Sequence, residues 1–408
     1  MLTTFGKGCD FMFSQSMLAL GRKRSVIREI FAYASRRREE IGADRVFDFS
    51  IGNPAVPPPQ EVTDCIRRLL DLPDQTALHG YTAAPGDRAV REAIAADLRS
   101  RVGIRADASL IYMTSGASAS LSIALKALAE PQDEVIVFAP FFPEYRVYVE
   151  QPGMKLVCVP SRAGDFQIDE AALQAALSPH TKAVIINSPN NPTGAILTEE
   201  SLKALANALK RAETEFGHPI FLISDEPYRE LTYDGTVTPA AAKYYGNTVV
   251  CYSFSKSLSL PGERIGYIAV SPDCTEAAAL FDAVCGAGRA LGFVCAPTMF
   301  QQVAAACCSL TSDLAVYDKN RRLLYDALTS FGFEAVFPDG AFYLFVKSPE
   351  PDAAAFCEKA KKRELLFVPS DDFGCPGYVR IAYCVSTDQI TRSLPAFELL
   401  AKDCGLRG

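Results

Sequence analysis

Histidine is scarce in this sequence: only His79, His180 and His218 occur, and their spacing matches no metal-ligand pattern. The 13 cysteines include no Cys-x-x-Cys pair. Odd in number and lodged mostly in apolar runs such as LVCVP, VVCYSF and RIAYC, they read as reduced, buried thiols. The vicinal pair Cys307-Cys308 sits in AAACCSL, a predicted helix, so no structural metal is expected. Nowhere do about 18 apolar residues run together, as a membrane span requires. The first 25 residues lack the unbroken apolar segment of a secretory leader. A cytoplasmic protein with no membrane partner is the expectation. Positive charge is also in deficit, 41 Lys and Arg against 48 Asp and Glu for a net charge of −7, so the global field does not favour nucleic acid. Any anion must be drawn by a local site. Internal repeats and low-complexity tracts are absent.

What is present is the 49% apolar, 22% charged balance of a globular chain. Its 408 residues exceed the roughly 250–300 at which a single core stops growing, which predicts two lobes. From about residue 85, short β-branched runs alternate with helical patterns: SLIYM (109–113), EVIVF (134–138), AVIIN (183–187), IFLIS (220–224), NTVVCYSF (247–254) and IGYIAV (265–270). Such alternation predicts an α/β fold, a three-layer large domain around a mostly parallel sheet of seven strands. After residue 300 long amphipathic helices and a few strands, EAVF (334–337), FYLFV (342–346) and YVRIAY (378–383), predict a smaller α+β domain. The expected division is 61–300 for the large domain and 301–408 for the small one. Residues 1–60, helical in RSVIREIFAYASRRREE and then Gly/Pro-rich in DFSIGNPAVPPP, are expected to pack on the small domain and cross the site.

Open parallel sheets bind ligands beyond the carboxyl ends of their strands, so the residues just after each strand are read together. Thr114-Ser115-Gly116-Ala117-Ser118 is a small-residue turn into a helix, with free N–H groups and a positive dipole end suited to phosphate, although such turns are more often plain caps. Asn187-Ser-Pro-Asn-Asn-Pro-Thr-Gly194 reads locally as a tight turn whose polar side chains also suit a ring substituent. Asp225, delivered by IFLIS, is either a helix cap or the partner of a cationic nitrogen. Lys256, flanked by Ser253 and Ser255 and followed by Pro-Gly and Arg264, is a desolvated amine able to attack a carbonyl. One crevice thus combines an anion nest, an acid, a phenol (Tyr228), an amine and an arginine, the set that pyridoxal 5′-phosphate (PLP) requires.

With IGNP (51–54), GYTAAPG (80–86), TSGAS (114–118), NSPNNPTG (187–194), SDEPY (224–228), SFSKSLSLPGERIGY (253–267), GAFYLF (340–345) and YVRIAY (378–383) in order, the chain resembles the fold-type I PLP enzymes, specifically the class I/II aminotransferases of aspartate aminotransferase type. The resemblance runs from about Phe47 to about Glu398. It implies that Lys256 attaches the cofactor and shuttles the Cα proton, that Asp225 pairs with the pyridine nitrogen, and that Tyr228 and Asn191 hydrogen-bond the ring oxygen. It further implies a phosphate held by Gly116, Ala117, Ser118, Ser253, Ser255 and Arg264, with Phe142 stacked on the ring, a place where a plain core phenylalanine is an equal reading. Arg380 and the Gly52 backbone would take the substrate carboxylate. Tyr81 would reach the neighbour's phosphate in a homodimer with shared sites. Ser370 in FVPSDDFG stands where the family usually has glycine, and the spacing of Arg289 departs from that of dicarboxylate-specific members.

The resemblance implies a ping-pong transfer of an amino group between an L-amino acid, aspartate or a related one, and a 2-keto acid. The alternatives are a PLP-dependent C–S lyase or other elimination enzyme on the same scaffold and, from another class, a PLP-binding regulatory module. Against the module stand the acidic charge and the short region before residue 45.

Overall fold

Four strands of the main sheet, IYMT, FLISD, TVVCYS and GYIAV, are buried at every position, as strands covered on both faces must be. The computed structural model describes residues 13–22 and 26–406. Residues 1–12, 23–25 and 407–408 lie outside the described residues, and with them the opening of the expected N-terminal segment. A two-residue strand, β1 (Phe47–Asp48), comes first. The main sheet follows with β2 (Ile111–Thr114), β3 (Glu134–Ala139), β4 (Lys155–Pro160), β5 (Thr181–Asn187), β6 (Phe221–Asp225), β7 (Thr248–Ser253) and β8 (Gly266–Val270). Their order is β2-β8-β7-β6-β5-β3-β4. All neighbours run parallel except at β8, which is antiparallel to both β2 and β7.

Side chains of a strand alternate between faces, and two apolar layers result. Val135, Val137, Ile223 and Val249 pack with Leu121 and Ala287 on one face. Ile136, Val184 and Leu222 pack with Leu205 and Leu209 on the other. Each such fully buried aliphatic side chain contributes about 1.5–3 kcal/mol of transfer free energy. The seven-stranded, mostly parallel sheet agrees with the sequence expectation. The edge strand β4 falls outside the predicted set: only Val159 among its residues is buried, so its pattern is that of a cysteine-bearing apolar run rather than a core strand.

Beyond residue 340 come β9 (Tyr343–Lys347), β10 (Leu365–Leu366), β11 (Val368–Pro369) and β12 (Tyr378–Ala382). Strands β11, β12 and β9 form an antiparallel three-stranded sheet. The run EAVF forms no strand; it contributes one bridge, Ala335 to Val346, because Pro338 closes the segment and cannot donate to a ladder. Strand β1 pairs in parallel with β10, Phe47 opposite Leu365. Phe49 and Val56 join the apolar cluster of Leu344, Val379, Ile381 and Phe397. The helix Val26–Ile41 is tied to the same region by Arg37 to Glu364 at 2.6 Å. Residues 26–56 therefore pack on the C-terminal elements and lead directly into the cleft. Among the described residues, no helix is long and apolar enough to cross a membrane.

Candidate active site

Parallel strands end at the same edge of a sheet, so β5, β6 and β7 bring Asn187, Asp225 and Ser253 to one rim. Because β8 is antiparallel to β7, its amino end arrives there too, carrying Arg264 next to the Ser253–Gly266 pair. Strand β2 reverses direction again, placing Thr114 opposite Gly266 and the turn Ser115–Gly116 beside Arg264. Topology thus gathers residues that the sequence scatters over about 150 positions.

At one corner the helix Ala117–Leu128 starts after Gly116, whose φ of 87° is open to glycine and costly for other residues. A methyl group there would lie 2.7 Å from Arg264 Nη2 and 3.4 Å from Ser253 Oγ. Arg264 itself has a positive φ of 52° and donates from Nη2 to the Ser115 carbonyl at 3.1 Å and from Nη1 to the Pro261 carbonyl at 3.0 Å. Ser253 accepts from the Ser255 N–H. Helix-start N–H groups, hydroxyls and a guanidinium converge on a space fit for a dianion.

Further along the rim, the carboxylate of Asp225 is 5% exposed. Its Oδ2 accepts from the Tyr145 hydroxyl at 2.5 Å, whereas the buried Oδ1 has no partner. Burial pushes this acid up to about 7, with the Tyr145 hydrogen bond opposing the shift and Glu226 adding to it. A buried carboxylate oxygen left bare is costly unless a ligand supplies a donor. Lys256 donates from Nζ to the Gly52 carbonyl at 2.7 Å and lies 5.6 Å from the Phe342 ring centre. Burial lowers this amine to about 8. The Tyr228 hydroxyl meets the Tyr343 hydroxyl at 2.8 Å.

Asn187 braces the rim by donating to the Asp225 carbonyl at 2.9 Å and accepting from Asn191 N–H at 2.7 Å. The side-chain oxygen of Asn191 accepts from Arg380 Nη1 at 3.0 Å. Arg380, 2% exposed, also donates from Nη2 to the Ser50 carbonyl, packs 4.7 Å from the Tyr343 ring centre, and leaves Nε unpartnered. No carboxylate among the described residues pairs with it. A buried guanidinium without a counter-charge is a site for an anionic group of a ligand.

Of the residues expected from sequence, Gly52, Gly116, Ala117, Ser118, Asn191, Asp225, Tyr228, Ser253, Ser255, Lys256, Arg264 and Arg380 thus line or adjoin one cleft. Phe142 borders it through Tyr145, ring centres 5.7 Å apart and edge to face. Tyr81 is 98% exposed and makes no hydrogen bond to the cleft of its own chain. Arg289 is exposed near the end of the helix Ala277–Leu291 and bonds no cleft side chain. Sequence reading missed Tyr145, Tyr343 and Cys384. Tyr343 lies inside GAFYLF, which offered a signal; Tyr145 is 80 residues from its carboxylate partner, and nothing local marks it. Cys384, fully buried with Sγ 3.7 Å from the Ile51 carbonyl, looked like one more core thiol.

The sequence pattern of the family described as aminotransferase class I and II matches residues 44–397. A probable N-acetyl-LL-diaminopimelate aminotransferase of Bacillus subtilis is 30% identical over 91% of this chain and 94% of its own length. An aspartate aminotransferase of Geobacillus stearothermophilus is 30% identical over 85% and 88%. The crystal structure of an amino transferase from Eubacterium rectale superposes with a TM-score of 0.94 at 52% identity, covering 96% of this chain and 99% of that one. Thermus thermophilus aspartate aminotransferase with maleate gives 0.83 at 26% identity, over 95% of this chain and 100% of that one.

Proposed function

The chain belongs to the class I and II aminotransferases, and from that premise we propose which of its residues carry out the transfer. The enzyme moves an amino group between an amino acid and a 2-keto acid with PLP, whose ring, when bound, accepts the electron pair of the bond broken at Cα. The observation that carries the assignment is the bare, buried Oδ1 of Asp225, which shares a cleft with the desolvated amine of Lys256. An acid of that kind fits a cationic ring nitrogen, and the corner without a Cβ at Gly116 fits the phosphate.

With PLP bound, Lys256 would hold it through its neutral amine and, when free, would move the proton at the substrate Cα. Asp225 holds the ring nitrogen protonated. Tyr228 would give its one hydroxyl proton to the ring oxygen, which leaves its own oxygen free to accept from the Tyr343 hydroxyl, a contact in which either group can donate. Asn191 offers its N–H to the same oxygen while its carbonyl stays on Arg380. Gly116, Ala117, Ser118, Ser253, Ser255 and Arg264 hold the phosphate, and Phe142 flanks the ring. Arg380 and the Gly52 backbone bind the substrate α-carboxylate, the arginine through a planar fork matched to carboxylate. The donor we propose is aspartate or a related amino acid, a reading supported by relatives that carry aspartate in their names. Arg289 is not assigned to a distal carboxylate. Residues 61–300 are proposed as the cofactor lobe and 301–408 as the smaller lobe, with 1–60 packing on the smaller lobe and crossing the site, in a cytoplasmic homodimer to which Tyr81 contributes across the interface.

An absorbance spectrum of the purified protein with PLP tests this, taken before and after single amino acids, with Lys256→Ala as control. A visible band that is lost with certain amino acids and restored by a keto acid supports the reading and names the donor. Absence of the band in wild type overturns the cofactor assignment, and steady release of ammonia and keto acid without recovery of the band supports elimination instead.

A further inference from the structure

We propose that Tyr145 is a positioning residue for the reaction: by donating to Oδ2 it turns the Asp225 carboxylate so that Oδ1 faces the ring nitrogen, and it keeps that carboxylate charged. The inference rests on the PLP reading above. Tyr145 lies in the first turn of the short helix Glu144–Glu150, just past the end of β3, and its side chain is 1% exposed. Its ring is fixed from one side by the edge of Phe142. The 2.5 Å hydrogen bond makes Tyr145 the only side-chain donor to the Asp225 carboxylate among the described residues.

Everything else that faces this carboxylate fails to stabilise its charge. Glu226, the residue after β6 ends, repels it, although Arg229 holds that acid at 2.6 Å. Tyr228, Tyr148 and, from β7, Cys251 are neutral groups whose own ionisation is suppressed by burial. Without the Tyr145 hydroxyl, both carboxylate oxygens would be buried and bare. The cheapest escape is then to take up a proton, which removes the counter-charge of the ring nitrogen and frees the carboxyl group to rotate. Burial also holds the Tyr145 phenol well above its ordinary value, so it remains a donor over the working range.

The test reconstitutes wild type and Tyr145→Phe with PLP labelled with 15N in the ring and follows the nitrogen shift by NMR from pH 6 to 9. Phe keeps the ring and its contact with Phe142 and removes only the hydroxyl. In wild type the nitrogen should stay protonated throughout. In Tyr145→Phe it should lose its proton within the range, and the PLP dissociation constant should rise about tenfold, the size expected for one hydrogen bond to a charged group. In an Asp225→Ala background the same substitution should change neither quantity, because Tyr145 acts only through Asp225. A nitrogen that titrates in Tyr145→Phe as in wild type, or an equal loss of affinity in the Asp225→Ala background, overturns the proposal and leaves Tyr145 a packing residue. Failure of wild type itself to take up the labelled cofactor overturns the PLP reading instead.

Discussion

Asp225 and Lys256 carry opposite charges in water and are both driven toward neutrality by burial, with consequences that can be measured on the protein freed of cofactor. For Asp225 the folded value is about 7 against 3.8 for an ordinary carboxyl. Between those values the folded chain holds a proton that the unfolded chain has released, so raising the pH through that window lowers stability. Cofactor-free Asp225→Asn should therefore melt above cofactor-free wild type at pH 8, with the gap closing toward pH 4, while binding PLP more weakly. Scanning calorimetry at the two pH values checks this, and an equal or lower melting temperature at pH 8 refutes it. For Lys256, lowered to about 8, the neutral amine dominates above that pH. The rate of PLP uptake by the cofactor-free protein, read by stopped-flow absorbance, should climb through pH 8 and then level, instead of climbing on toward 10. At Arg380, Lys retains the charge but lacks the fork that holds Asn191 and Ser50. Arg380→Lys should raise KM for the amino acid by one to two orders of magnitude, from about 1.5–3 kcal/mol for a charge-assisted hydrogen bond.

At the scale of elements, the site depends on the reversal at β8, which sets Arg264 against the Gly116 turn. Gly116→Ala demands a positive φ of a residue with a Cβ and drives that carbon into the Arg264 guanidinium. The expected result is a folded protein whose affinity for PLP falls at least tenfold, seen in fluorescence titration. The sequence made this arrangement legible because chemistry sits at the ends of the apolar runs: TSGAS, NSPNNPTG, SDEPY and SFSK each begin in the last one or two residues of a strand and run past its end. Periodicity failed where burial is partial, as at β4, where hydrogen bonds to β3 rather than an apolar face define the strand. It also failed across distance. The pairs Tyr145–Asp225 and Tyr228–Tyr343 join elements whose separation along the chain no local pattern encodes, and only the folded sheet reveals that Tyr145 stands behind the carboxylate.

For the whole molecule, the exposure of Tyr81 is the feature that a single chain leaves unexplained. If two copies share their sites, Lys256→Ala and Tyr81→Ala damage different halves of each site. A dimer mixed from the two variants has one site with both residues intact. Unfolding and refolding the variants together should restore activity well above that of either alone, and additive residual activity would refute shared sites. A different consequence follows from the pairing of β1 with β10 and of Ser50 with Arg380, 330 residues apart along the chain. During synthesis, every side chain proposed to touch the cofactor leaves the ribosome before the strand that completes the substrate side. Chains terminated before β12 lack Arg380, the residue proposed to hold the substrate carboxylate, and leave the Ser50 carbonyl without its partner.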